Sequence, residues 1–168
     1  MLTEEKILQI EAALTDASAE SRVYIGCDSD RFRGKDGNWH ASYTTAVVVH
    51  NIDSQGIGHG AKVFICTERM IDYDQKKNRP MMRMMNEAYK TAEAYQQLEE
   101  ALLEFDVEVH LDINDDPKHG SNCAHGSAVG YLKGVTGRPV RTKPDAFAAS
   151  YVADHGVRGK FSRNSAQY

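Results

Sequence analysis

At 168 residues, 41% hydrophobic and 26% charged, the sequence has the size of one domain and the make-up of an ordinary globular chain. It holds no run of roughly 18 apolar residues, and its acidic start, MLTEEKILQIEAAL, lacks the basic and apolar parts of a secretion signal; a cytoplasmic protein with no membrane partner is expected. The net charge of −4 disfavours an indiscriminate nucleic-acid binder, but not an enzyme that grips nucleic acid through local contacts and bound cations.

Thr3 to Leu14 reads as a helix, with Thr3 as N-cap, Glu4 and Glu5 in the first turn and Ile7, Ile10 and Leu14 on one stripe. Arg22 to Asp28 is a short apolar strand ending in an acid, followed by a charged, Gly-rich loop from Arg31 to Asn38. Trp39 to His50, rich in β-branched residues, is a second strand, and Ala61 to Thr67 a third. Pro80 opens a long helix to about Phe105, with Met81, Met84, Met85, Ala88, Ala92 and Tyr95 at helical spacing. Val107 to Ile113 alternates strictly and predicts a fourth strand. Asn122 to Val135 predicts a helix ended by Gly137 and Pro139, Val140 to Thr142 a fifth strand, and Pro144 the start of a last helix from Asp145 to about Asp154. Three meander strands followed by β-α-β crossovers predict a mixed five-stranded sheet flanked by helices. The expected division is an N-terminal helix (1–20) packed on a main domain (21–156), then a basic tail (157–168).

Asp28 ends the first strand and Asp112 lies near the end of the fourth. If those strands are parallel neighbours, about 4.8 Å apart, the two carboxylates come within reach of one cation. Gly26 shares a face with Asp28 and leaves room for a close approach. Glu87 borders the apolar stripe of the long helix and can lean over the sheet edge, and Asp145 follows Pro144 at a helix start. Four carboxylates from four elements suit hard cations, Mg²⁺ or Mn²⁺. Two such ions activate water and stabilise the leaving oxygen of a phosphodiester. Without metal, crowded carboxylates repel and raise one another's pKa.

The stretches VYIGCDSD (Val23 to Asp30), MNEAYKTAE around Glu87, VEVHLDINDDPKHGSN (Val107 to Asn122), AVGYLKG (Ala128 to Gly134) and KPDAFAASYVAD (Lys143 to Asp154) resemble the YkuK-like family of ribonuclease H-like proteins. The resemblance implies a ribonuclease H-like fold. It also implies metal-holding, catalytic acids on the first strand, first long helix, fourth strand and last helix, which fall on Asp28, Glu87, Asp112 and Asp145. Asn114, Asp116 and Asp154 are nearby alternatives.

Other patterns carry less. Asp112-x-Asn114-x-Asp116 opens like a calcium loop but has Pro117 at the sixth position and Cys123 at the twelfth, which excludes an EF-hand. His110, His119, Cys123 and His125 match no zinc spacing, although His119 and His125 stand close enough to Asp112 in sequence to assist proton transfer. Cys27, Cys66 and Cys123 form no CxxC pair and are expected to be reduced structural thiols. No phosphate-binding glycine loop occurs. Basic clusters at Arg31/Arg33/Lys35 and Arg138/Arg141/Lys143 adjoin Asp28 and Asp145 and can steer phosphates; Lys76/Lys77/Arg79 and Arg158/Lys160/Arg163 are two more. The expectation is a metal-dependent nuclease acting on RNA, RNA–DNA hybrid or branched DNA. The alternative is a nucleic-acid- or protein-binding module that keeps the fold without turnover.

Overall fold

The structure, a computed structural model, describes residues 1–74 and 80–153. The Lys76/Lys77/Arg79 and Arg158/Lys160/Arg163 clusters, Asp154 and the 157–168 tail lie outside those residues. The elements run α1 (Glu4–Thr15), β1 (Arg22–Arg33), β2 (Trp39–Ile52), β3 (Gly58–Ile71), α2 (Met81–Leu98), β4 (Asp106–Leu111), α3 (His125–Thr136) and β5 (Val140–Arg141). A terminal π-helical segment follows at Ala148–Ala153. No helix among the described residues is long and apolar enough to cross a membrane.

The five strands form one mixed sheet in the order β3-β2-β1-β4-β5. β1, β2 and β3 make the expected antiparallel meander, while β4 adds in parallel to the free edge of β1, and β5 in parallel to β4. One sheet face carries Val23 and Ile25 of β1, Val47 and Val49 of β2, and Val107, Val109 and Leu111 of β4. This face packs on Ile10 and Leu14 of α1, Ala88, Ala92 and Leu98 of α2, and Ala128 and Leu132 of α3. Each large aliphatic side chain buried there contributes roughly 1.5–3 kcal/mol. The opposite face of β1 and β4 lies under the terminal segment. There a Cβ on Gly26 would meet the Ala149 backbone nitrogen at 2.8 Å, so the room that glycine leaves is filled by the chain itself. His110, 1% exposed, accepts a hydrogen bond at Nδ1 from the Ala148 N–H (3.1 Å); it serves packing.

Local chemistry explains the helix ends. The Thr3 side chain accepts from the Lys6 N–H, as an N-cap does, an interaction worth about 1 kcal/mol. Gly137 closes α3 at φ 62°, the left-handed conformation glycine adopts without strain. At the start of α2 the Asp74 carboxylate accepts the N–H groups of Met82 (2.9 Å) and Arg83 (2.8 Å), two donors no helical carbonyl can reach.

Two expectations need correction. The stretch from Arg31 to Arg33 is strand, not loop, because β1 pairs with β2 without a break from Arg22↔His50 to Arg33↔Trp39; cross-strand pairing overrides the charged composition. Asp145 does not open the last helix. Its N–H closes a turn onto the Thr142 carbonyl (2.9 Å), and the helical segment begins beyond it, so the stabilisation expected from a helix N-terminus is missing.

Candidate active site

The β1–β4 register places Gly26 beside His110 and Cys27 beside Leu111. One residue further, where the β1–β4 ladder ends, Asp28, still within β1, and Asp112, the first residue after β4, stand level with each other on one face. Their end of the sheet opens into a cleft of about 890 Å³ whose lining includes Asp28, Ser29, Arg83, Asp112, Lys118 and Lys143. Both acids are half-buried.

Asp112 is well satisfied. Its Oδ1 accepts from the Ser150 hydroxyl at 2.5 Å, and its Oδ2 lies 2.9 Å from the Lys143 ammonium. Lys143 is held there because its own N–H donates to the Ile113 carbonyl (3.1 Å), tying its loop to the end of β4. The Asp112 side chain is 17% exposed and that of Lys143 41%, so water reaches the pair. Asp28 Oδ1 accepts the Ser29 N–H at 2.8 Å.

Glu87 is in a different state. Its residue is completely buried, and Ser29 Oγ donates to its Oε1 at 2.5 Å. Its Oε2 has no hydrogen-bond partner among the described residues. Arg83 Nη1 donates to the Ser29 carbonyl (3.0 Å) and hydroxyl (3.1 Å), joining α2 to β1 above Glu87. Burial, and then the nearby charge of Asp28, push the Glu87 carboxyl well above its ordinary range, with Asp112 adding to the rise. Glu87 therefore senses both acids of the cleft although it does not line it.

Asp145 is exposed and outside the cleft lining, and its charge acts on Arg141. Of the four acids picked out in the sequence, three are thus gathered and Asp145 is not. Asn114 and Asp116 serve the loop after β4: Asn114 Oδ1 accepts the Asp116 N–H (3.0 Å), and Asp116 Oδ1 the Lys118 N–H (2.9 Å). His119 lines the cleft and His125 does not. Burial pushes the Cys27 thiol well above its ordinary value, which suits a structural residue rather than a nucleophile. Ser29 and Ser150 lie within stretches that carry the family resemblance but are not among the site residues it implies, and Arg83 carries no sequence signal.

Among the described residues, no three His, Cys, Asp or Glu side chains stand together as a closed metal cage. That is no obstacle to Mg²⁺, which keeps several waters and is bound through one or two carboxylates plus substrate phosphates. The two level carboxylates at the cleft, Asp28 and Asp112, are hard oxygen donors of the kind such an ion takes; Glu87 lies behind them, outside the cleft lining.

The comparison with curated proteins and that with solved structures return no match. The family model described as Ribonuclease H-like matches residues 5–158. That span takes in every described strand and the terminal segment, and the fold it names, of nuclease type, agrees with the mixed five-stranded sheet; the chain belongs to the ribonuclease H-like family.

Proposed function

We propose that the cleft hydrolyses phosphodiester bonds of nucleic acid with the help of Mg²⁺ or Mn²⁺. The observation that carries this reading is the parallel pairing of β1 with β4, which sets Asp28 and Asp112 level at the end of the ladder. Asp28 and Asp112 would hold the ion, with Glu87 as a further candidate through its orphaned oxygen. When bound, a divalent ion supplies an activated water and charge stabilisation for a departing oxygen.

The chain's own residues do the rest. Arg83, Lys118 and Lys143 surround the acids along the cleft and attract the phosphate backbone that a chain of net charge −4 would otherwise repel. Lys143 neutralises Asp112 until substrate arrives, and its half-exposed ammonium can turn to a phosphate without leaving the cleft. The Ser150 hydroxyl fixes the orientation of Asp112 by occupying Oδ1. Ser29, pinned by Arg83, holds Glu87 by one oxygen and leaves the other without a hydrogen bond among the described residues. His119 lines the cleft and would be a candidate to pass a proton to a leaving group. Asp145 has no part in this arrangement.

The test is cleavage of single-stranded RNA, hybrid and branched DNA with and without Mg²⁺. Asp28→Asn and Asp112→Asn should each lower the rate by about a hundredfold or more, equivalent to about 2.7 kcal/mol of transition-state stabilisation. Cleavage that persists in both variants overturns the reading.

The Lys143–Asp112 pair favours a second reading, a binding module without turnover, because an internal ammonium already neutralises the acid a cation would need. Calorimetry with Mn²⁺ separates the two: no uptake at millimolar concentration supports the module.

A further inference from the structure

The strands that carry the site do not end at it. β1 continues past Asp28 to Arg33, and β2 begins opposite that end at Trp39. Trp39 is the only tryptophan of the chain and is 42% exposed. Its ring lies under two guanidinium groups, with Arg31 Cζ at 4.4 Å and Arg33 Cζ at 5.3 Å from the ring centroid. Arg31 is locked in place: its Nε lies 2.6 Å from Asp72 Oδ2, and its Nη2 donates to the Asp74 carbonyl at 2.6 Å. Arg33 is exposed and, among the described residues, has no carboxylate partner. Tyr73, 70% exposed, lines a groove of about 490 Å³ together with Trp39 and Arg31.

We propose that this groove is a stacking subsite for an unpaired nucleobase of the same nucleic acid that enters the cleft, an assignment that rests on the nuclease reading for its choice of ligand. Three features select that occupant. Exposed aromatic rings paired with arginine offer a flat, sequence-tolerant platform for a base. Arg33 supplies a positive charge that no carboxylate among the described residues pairs with, and that a phosphate beside a stacked base can take. The rigid strand pairing fixes the distance: Arg33 lies four residues along β1 from Ser29, a lining residue of the cleft on the same sheet face, about 14 Å at 3.4 Å per residue, or about four nucleotides at the stacked spacing of one strand. A duplex hides the base faces inside its own stack, so the subsite recognises a single-stranded segment that leaves the cleft. The substrate class is then nucleic acid with an unpaired stretch next to the cut.

The lone tryptophan makes this directly testable with the full chain in metal-free buffer, where a bound strand stays intact. A 12-nucleotide single strand should quench Trp39 fluorescence in a saturable manner, and the blunt duplex of the same sequence should not. Labelled single strand should bind about tenfold more weakly to Trp39→Ala. Arg33→Ala, at an exposed position that the fold does not need, should weaken it severalfold and flatten its salt dependence. Absence of quenching, with unchanged affinity in Arg33→Ala, overturns the subsite. If Mg²⁺-dependent cleavage is still lost in Asp28→Asn, the nuclease reading survives that failure. Quenching without any cleavage leaves the subsite standing and removes the nuclease reading.

Discussion

Asp112 in the cleft and Glu87 behind it are held in opposite ways. At the end of β4, Asp112 has an ammonium on one oxygen and a hydroxyl on the other, with water within reach. On α2, Glu87 is sealed from water with one hydrogen bond and, among the described residues, one bare oxygen. The first arrangement is close to neutral for folding. The second costs stability, since a buried acceptor without a partner loses its hydration for nothing. A fold retains such a group only if another state of the protein, one with a cation or proton at that oxygen, repays it.

The sharpest way to break this comparison is to neutralise each acid. Asp112→Asn and Glu87→Gln should both reduce cleavage about a hundredfold or more, while their effects on the metal-free protein have opposite signs. Asp112→Asn gives up a half-exposed ion pair and should destabilise by about 1 kcal/mol or less. Glu87→Gln removes a buried carboxylate and should stabilise by about 1–3 kcal/mol near neutral pH. The pH dependence follows from the raised Glu87 pKa. Between 4.5 and its folded value the native state holds a proton that the unfolded chain has released. Wild-type stability therefore falls as pH rises through that window, and Glu87→Gln should flatten the slope. Denaturant melts at several pH values check both signs; equal destabilisation by the two variants would erase the contrast.

A smaller effect is expected on the far face of the same strands. Gly26→Val pushes a side chain into the Ala149 backbone and should cost about 1–3 kcal/mol, read as a lower Tm. A neutral result would mean that the terminal segment does not pack there. Smaller again, Lys143→Met frees Asp112 Oδ2 and should tighten Mn²⁺ binding by up to about fivefold, the worth of an ion pair of about 1 kcal/mol. Weaker Mn²⁺ binding would show that Lys143 supports the ion instead of competing with it.

The smallest effect lies beyond the cleft, in the β1–β2 turn. Asp36 accepts from the Asn38 side chain and backbone and bonds the His40 ring, which lowers its pKa to about 2 from 3.8. A depressed carboxyl stabilises above 3.8 and loses that contribution as pH falls through about 2. The emission of Trp39, one residue past Asn38, should change over that interval in the wild type and less in Asp36→Ala; identical titrations would remove Asp36 from the turn's support.

The alternation from Val107 to Ile113, set against Arg22 to Asp28, permitted a shared face for Asp28 and Asp112, because alternation is a local property of a strand, whereas the parallel pairing that sets them level comes from the fold. Glu87 was legible as a border residue but not as a buried one, since its depth depends on how closely α2 settles on Ser29. Asp145 was misplaced for a similar reason. Pro144 is a reasonable helix start, yet the loop is held by Lys143 on Ile113 and the turn is completed before any helix begins. The strand character of Arg31 to Arg33 was hidden because it comes from the partner strand. Arg83 and Ser150 reach the acids only through tertiary packing, which leaves no trace in spacing.

One measurement goes straight to the claim that two distant acids serve one ion: Mn²⁺ titration, by calorimetry, of the wild type, Asp28→Asn, Asp112→Asn and the double variant. A shared ion predicts one binding event that either single substitution removes, with no further loss in the double variant. Wild-type affinity in either single variant, or losses that simply add, would contradict it.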